Sequence, residues 1–253
     1  MAAPHLVFTL YAAHGAWGAA TLSSANTAWR ATELDPGLSH VCGILGAAIG
    51  LPRSDLGSLA ETLWFGSRAL IPAQREAAPD YHTITPPTPP AGRDHRRGWT
   101  RFEELRPALS PGRGPQGSVQ SWREYWTHGL WLVVLRQRDD DAAALDTVAG
   151  ALRRPRHPLF AGRKSCPLGL PLDPEMVAAD GPVDALALYG TPWDRHPELA
   201  GRLGPLPTPG PLRLDADFPN APVHLRRLER RDRPLPAGPR LFGLRDIVEC
   251  RES

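Results

Sequence analysis

Residues 162–166 read Gly-Arg-Lys-Ser-Cys, and those residue types in that order suit the gripping of a phosphate. Gly162 lets backbone approach closely. Arg163 and Lys164 supply positive charge, while backbone N–H groups and the Ser165 hydroxyl donate hydrogen bonds. Lys164 is the only lysine among the 29 lysines and arginines of the chain. A solvated basic turn would have the same composition, so the chemistry depends on what positions the turn. A helix closing with Arg153 and Arg154 precedes it, and Pro155 and Pro158 forbid the helix to continue. Leu159 and Phe160 then lead in as a short strand.

The bulk numbers narrow the classes. The chain has 253 residues, long enough for a sizeable buried core, and a net charge of +2. That balance gives no whole-molecule attraction for a polyanion, so any such affinity must be local. Cys42, Cys166 and Cys250 are odd in number and far apart, without a Cys-x-x-Cys pair or a Cys/His cluster. They indicate neither a disulfide framework nor a structural zinc, fit a reducing compartment, and leave no metal or cofactor expected. The apolar start lacks a basic leader and soon meets His14, Gly15 and Trp17, so it reads as a strand, not a signal peptide. No stretch approaches the ~20 apolar residues of a membrane span.

The elements follow from periodicity. Residues 6–11 alternate as a strand with Leu6, Phe8 and Leu10 on one face, and residues 13–18 (Ala-His-Gly-Ala-Trp-Gly) end it, with Trp17 read as core packing over the sheet end. Polar residues 21–36 carry Arg30. Ser39 is expected to cap a helix whose Val41, Ile44, Leu45 and Ala48 form one apolar face, and Gly50 and Pro52 end it. Gly43 and Gly46 inside that helix imply close packing, and its first N–H groups, at Ser39, His40 and Val41, offer an anion site. Ser54 is expected to cap a shorter helix over residues 55–61, before a second strand over residues 63–71.

Residues 72–121, rich in proline and arginine, read as a long arm, and residues 122–136 as a third strand. Asp139, Asp140 and Asp141 open a helix carrying Leu145, Val148, Ala149 and Leu152, with one aspartate as cap and the others favouring the positive helix end. Residues 159–161 read as a fourth strand.

This order predicts an α+β fold: a ferredoxin-like (RRM-like) βαββαβ domain over residues 1–166, with the arm between its second and third strands. Two helices would cover one sheet face and leave the other free, as in modules that expose a sheet to single-stranded RNA. Residues 167–253 read as a small C-terminal β-rich lobe. Within it residues 184–189 are a strand or short helix, residues 223–231 are arginine-rich, and residues 241–248 are a last strand.

Four stretches resemble the CasD family, the type I-E CRISPR-associated RAMP proteins: Gly15-Ala16-Trp17-Gly18 after the first strand, residues 36–50, Asp80-Tyr81-His82-Thr83 with Arg123-Glu124-Tyr125, and residues 158–171. The last is the most specific. The resemblance implies a ferredoxin-like domain with an extended thumb, and a cytoplasmic subunit of the Cascade complex that binds the 5′ handle of CRISPR RNA. Its implied partners are the guide RNA, the other Cascade subunits and, through the complex, target DNA.

Holding single-stranded RNA requires cations for phosphates and planes for bases. The candidates are Arg163 and Lys164 in the basic turn, Ser39 and His40 at the helix end, Arg30, and the thumb residues Arg96, Arg97, Trp99 and Arg101. The rival is a metal-independent endoribonuclease of precursor CRISPR RNA, which needs a general base, a general acid and a cation, roles that Tyr81, His82 and Lys164 together could supply. In the type I-E subtype a separate ribonuclease does the cutting, so the resemblance implies no catalysis.

Overall fold

The computed structural model describes residues 2–18, 29–84, 119–236 and 241–250. The fold is mixed α+β around one large antiparallel sheet. Its first strand, β1 (Ala3–Gly15), is longer than the predicted one. It is followed by the short pieces β2 (Trp17–Gly18), β3 (Trp29–Arg30) and β4 (Thr32–Glu33), then by helices α1 (Leu38–Ile49) and α2 (Leu56–Glu61). Strand β5 (Leu63–Ile71) falls where periodicity put it, and β6 (Gln74–Arg75) follows. The main elements that follow are β7 (Asp80–Ile84), β8 (Val119–Arg123), β9 (Trp126–Gln137), α3 (Ala142–Arg153), β10 (Glu175–Ala179), α4 (Pro182–Tyr189), β11 (Leu212–Asp215), β12 (His224–Pro234) and β13 (Phe242–Cys250), with short helical turns between α4 and β11. Among the described residues no helix is long and apolar enough to cross a membrane.

The main sheet runs β10-β1-β9-β5-β11-β13-β12, with β6 also on β9. Every pairing in it is antiparallel. Three features depart from expectation. The fourth strand is not residues 159–161, which make only a single bridge from Phe160 to Pro167; the strand beside β1 is β10. Residues 159–161 lie too close to a turn to run alongside β1, whereas Val177 and Ala179 bury against it. The third strand is broken at Glu124 and Tyr125, so β8 joins a separate small sheet, β3-β8-β7. Lastly, the C-terminal strands extend the same sheet, because β11 pairs with β5.

Both faces of the sheet are covered, which corrects the expected free face. Leu6, Phe8 and Leu10 pack with Val41, Leu45, Leu145 and Leu152 under α1 and α3. The alternate side chains Val7, Tyr11, Leu132 and Val134 pack with Ala185, Leu186 and Tyr189 of α4. A strand buried on both sides reads as a continuous apolar run, as β1 and β9 do. Residues 184–189 are thus helical and supply the missing layer.

Local rules hold in part. Asp141 caps α3, accepting from the N–H groups of Ala143 (2.9 Å) and Ala144 (3.1 Å). Gly46 packs tightly, since a Cβ there would meet Leu56 Cδ2 at 2.4 Å, but Gly43 faces open space. Ser54 does not cap α2: its hydroxyl bonds to Asp55 (2.7 Å), and Asp55 holds the cap position without a side-chain bond. The predicted arm falls partly outside the described residues. Its base is the antiparallel pair β7–β8, in register from Asp80 opposite Arg123 to Ile84 opposite Val119.

Candidate nucleic-acid interface

The basic turn is fastened to the end of β1. Ala16 donates its N–H to the Ala161 carbonyl (3.1 Å), Ala161 to Cys166 (2.8 Å), and Cys166 to Arg163 (2.9 Å). Gly162 has φ +80°, and a Cβ on it would stand 1.8 Å from the Ala16 carbonyl oxygen. Glycine is therefore required here by backbone angle and by space. Two of the sequence stretches, residues 15–18 and the Gly-Arg-Lys-Ser-Cys turn, form one unit.

The turn fixes Arg163 over the Tyr125 ring, its guanidinium carbon 4.2 Å from the centroid. A guanidinium held on an aromatic face retains its in-plane donors for an anion. One of them, Nη1, is buried and has no hydrogen-bond partner among the described residues. A buried donor is stabilised by an acceptor, and this one stands beside the exposed Lys164 and Ser165. His14 also stacks on Tyr125 (4.4 Å, 16° between planes), and its Nε2 pairs with Glu76 at 2.9 Å. Cys166 is buried, and burial raises its pKa, so it sits in the turn as a thiol.

Glu124 organises the adjoining surface. Its Oε1 accepts from Trp29 Nε1 (2.9 Å), and its Oε2 accepts the Thr32 N–H (3.1 Å) and pairs with Arg75. Its own N–H donates to the Arg30 carbonyl (3.0 Å). Arg30, half-buried, is in register with Arg123 across β3 and β8. The break in the third strand therefore places Glu124 as an anchor and Tyr125 as a platform.

Two of the three N–H groups expected to hold an anion at the helix end, those of His40 and Val41, are engaged within the chain. Gly37, not Ser39, is the N-cap of α1. The Leu38 N–H donates to Asp232 Oδ2 at 3.0 Å, and the N–H groups of His40 and Val41 both return to the Gly37 carbonyl at 3.1 Å. Asp232 is clamped by Arg245, through Nε at 2.8 Å and Nη2 at 2.7 Å. Burial alone would raise the Asp232 pKa, but Arg245 and then Arg230 hold it below the ordinary carboxylate value. Arg245 also reaches Asp215 (2.8 Å), which accepts the Phe65 N–H (2.7 Å).

His40 is a positioning residue. Nδ1 accepts the Gly37 N–H (2.9 Å), so Nε2 carries the proton donated to the Gly18 carbonyl (3.1 Å). Burial, helped by Arg230, pushes its pKa down to about 4, so it is neutral at pH 7. Ser39 and His40 line a cavity of about 400 Å³ between α1 and β12, with Arg213, Arg230 and Asp232.

The structure thus groups Arg163 with Lys164, sets Arg30 beside the Glu124 hub, and turns Ser39 and His40 to another cavity. Arg96, Arg97, Trp99 and Arg101 lie outside the described residues. Of the enzyme candidates, Tyr81 leans on Trp122 (5.4 Å) and His82 lies 3.7 Å from Asp80. Neighbours on a strand point to opposite faces, so Tyr81 and His82 do not converge on one side of β7. Sequence reasoning missed His14, Glu76 and Tyr125 as the support of Arg163, although the motifs containing His14 and Tyr125 marked their places.

The profile of the family described as "CRISPR-associated protein (Cas_Cas5)" matches residues 5–246. The curated relative "CRISPR system Cascade subunit CasD" of Escherichia coli (strain K12) is 29% identical over 194 residues, 73% of this chain and 76% of the relative. Among solved structures, a chain of "CRISPR RNA-guided surveillance complex" superposes with TM-score 0.56 at 18% identity, covering 97% of this chain and 90% of the other. A second, "Crystal structure of Cas protein", gives TM-score 0.54 at 22% identity, covering 97% and 93%. At these identities the superpositions establish the fold.

Proposed function

The chain belongs to the CRISPR-associated Cas5 family, and from that premise we propose that it is a non-catalytic Cascade subunit of type I-E that holds the 5′ handle of the CRISPR RNA. The observation that carries this reading is Arg163, stacked on Tyr125, with a buried Nη1 that has no acceptor among the described residues. A phosphate oxygen supplies that acceptor, and exposed Lys164 adds a second charge at the same spot. Arg30 is a further cation, and the thumb residues Arg96, Arg97, Trp99 and Arg101 meet the RNA where the handle ends.

The antiparallel order β10-β1-β9-β5, with α1 between β1 and β5 and α3 between β9 and β10, supports a ferredoxin-like reading. The β7–β8 pair supports a thumb between its second and third strands. The division at residue 166 is functional: residues 1–166 carry the RNA contacts, and residues 167–253 complete the sheet at both edges. The partners are the guide RNA, the other Cascade subunits and, through the complex, target DNA, in the cytoplasm.

The test is co-expression with companion Cascade subunits and a CRISPR array. The unaltered chain is expected to co-purify with guide RNA, and Arg163→Ala with Lys164→Ala to lose it. Retention of RNA by the double variant overturns the phosphate role. Discrete cleavage of precursor repeat RNA by the pure chain, in the presence of chelator, overturns the non-catalytic reading.

A further inference from the structure

The main sheet is closed on both faces, yet the small sheet β3-β8-β7 exposes aromatic rings. Register puts Trp29, Trp122 and Tyr81 in one cross-strand row, since Trp122 is opposite both of the others. Residues in one row share a face. Trp29 and Trp122 are nearly parallel (19°, centroids 6.5 Å apart), and Tyr81 adjoins Trp122 at 5.4 Å. The outer two rings are half open to solvent, Trp29 at 48% and Tyr81 at 53%. The exposed Tyr81 phenol beside the Trp122 indole offers apolar ring surface that a stacking ligand would bury.

The surroundings specify what covers them. Glu124 holds the Trp29 indole edge and the Arg75 guanidinium on one carboxylate, so a cation stands fixed beside the aromatic plane. The next residue, Tyr125, carries Arg163. Tyr81 is tilted 56° to Trp122, so the row is a set of ring faces and edges with guanidinium groups nearby, which matches a nucleotide: a ring for a base, the cations for its phosphates. An apolar protein partner would gain from the rings but would have to desolvate Arg75.

We propose that the Trp29–Trp122–Tyr81 row is a stacking site for an unpaired base of single-stranded RNA, continuous with the phosphate grip at Arg163 and Lys164. This deepens the reading above and rests on it. Stacking is tolerant of base identity, because every base has a π face, so this site adds affinity more than sequence preference.

The test uses the full chain and a labelled single-stranded RNA of about ten nucleotides, with an abasic strand of the same length as control. Tyr81→Ala is expected to weaken binding of the base-bearing strand about tenfold and leave the abasic strand unchanged. Tyr81→Phe keeps the ring and binds as the unaltered chain does. Arg163→Ala with Lys164→Ala weakens both strands. If Tyr81→Ala affects neither strand, or both equally, the stacking site is overturned, while the phosphate role stands or falls by the Arg163 and Lys164 variant. If Tyr81→Ala leaves RNA affinity intact but strips companion subunits from the purified complex, the row is a protein contact and the proposal fails.

Discussion

Asp232, near the end of β12, caps Leu38 at the start of α1 across 194 residues of chain. The same carboxylate neutralises Arg245, which is 4% exposed and has its other partner in Asp215. One buried cation therefore ties β11, β12 and β13 to the first helix. Removing one member leaves uncompensated charge in the interior, which costs more than the pair contributes. Asp232→Ala is expected to destabilise the fold by roughly 3–5 kcal/mol, read as a drop in urea midpoint with unchanged slope.

The neutral His40 gives a pH dependence whose sign is fixed. Its pKa falls from 6.5 to about 4 on folding, so the unfolded chain binds more protons between those values. Stability is fully present above about pH 6.5 and declines as pH falls toward 4, by at most about 3 kcal/mol. His5, also held neutral by burial, contributes to the same slope. Thermal melting across this range is expected to show a flatter, not absent, slope in His40→Gln.

Gly162 and Gly43 are expected to respond to alanine in opposite directions. At Gly162 the new Cβ meets the Ala16 carbonyl and the backbone is left-handed, so Gly162→Ala displaces the basic turn and weakens RNA binding. At Gly43, inside α1, nothing among the described residues lies within 4 Å of the new Cβ. Gly43→Ala is expected to stabilise by about 0.5–1 kcal/mol without changing RNA affinity. Paired melting and anisotropy measurements distinguish the two.

If Arg163 and Lys164 each neutralise a phosphate, salt dependence reports it. Their double alanine variant is expected to reduce the slope of log affinity against log salt by about 1.4, at roughly 0.7 per contact on a single strand. Arg163→Lys keeps the charge but not the planar stack on Tyr125. It is expected to restore most of one contact's slope while binding more weakly at every salt concentration.

The sequence by itself determined the elements whose signals are local. The apolar face of Val41, Ile44, Leu45 and Ala48 fixed α1, the Asp139-Asp140-Asp141 triplet announced the start of α3, the alternation of Leu6, Phe8 and Leu10 marked β1, and the apolar run of residues 130–135 marked β9. It also marked the basic turn, because glycine followed by two cations has meaning before any fold is known. The stretches Gly15-Ala16-Trp17-Gly18 and residues 158–171 were singled out separately, and they meet where Ala16 bonds to Ala161.

Only the tertiary structure decided which strand pairs with β1, what covers the second face of the sheet, and what caps α1. Residues 159–161 were the expected partner of β1, but residues 175–179 pair with it, a choice made by the pairing register and not by local sequence. Ser39 looked like a cap because capping is normally local; the cap position falls to Gly37, and the Leu38 N–H is satisfied by Asp232 from the other end of the chain, where Arg245 holds its charge. Periodicity encodes which side of an element is apolar. It does not encode what lies opposite, since contacts between remote residues depend on how the whole chain closes.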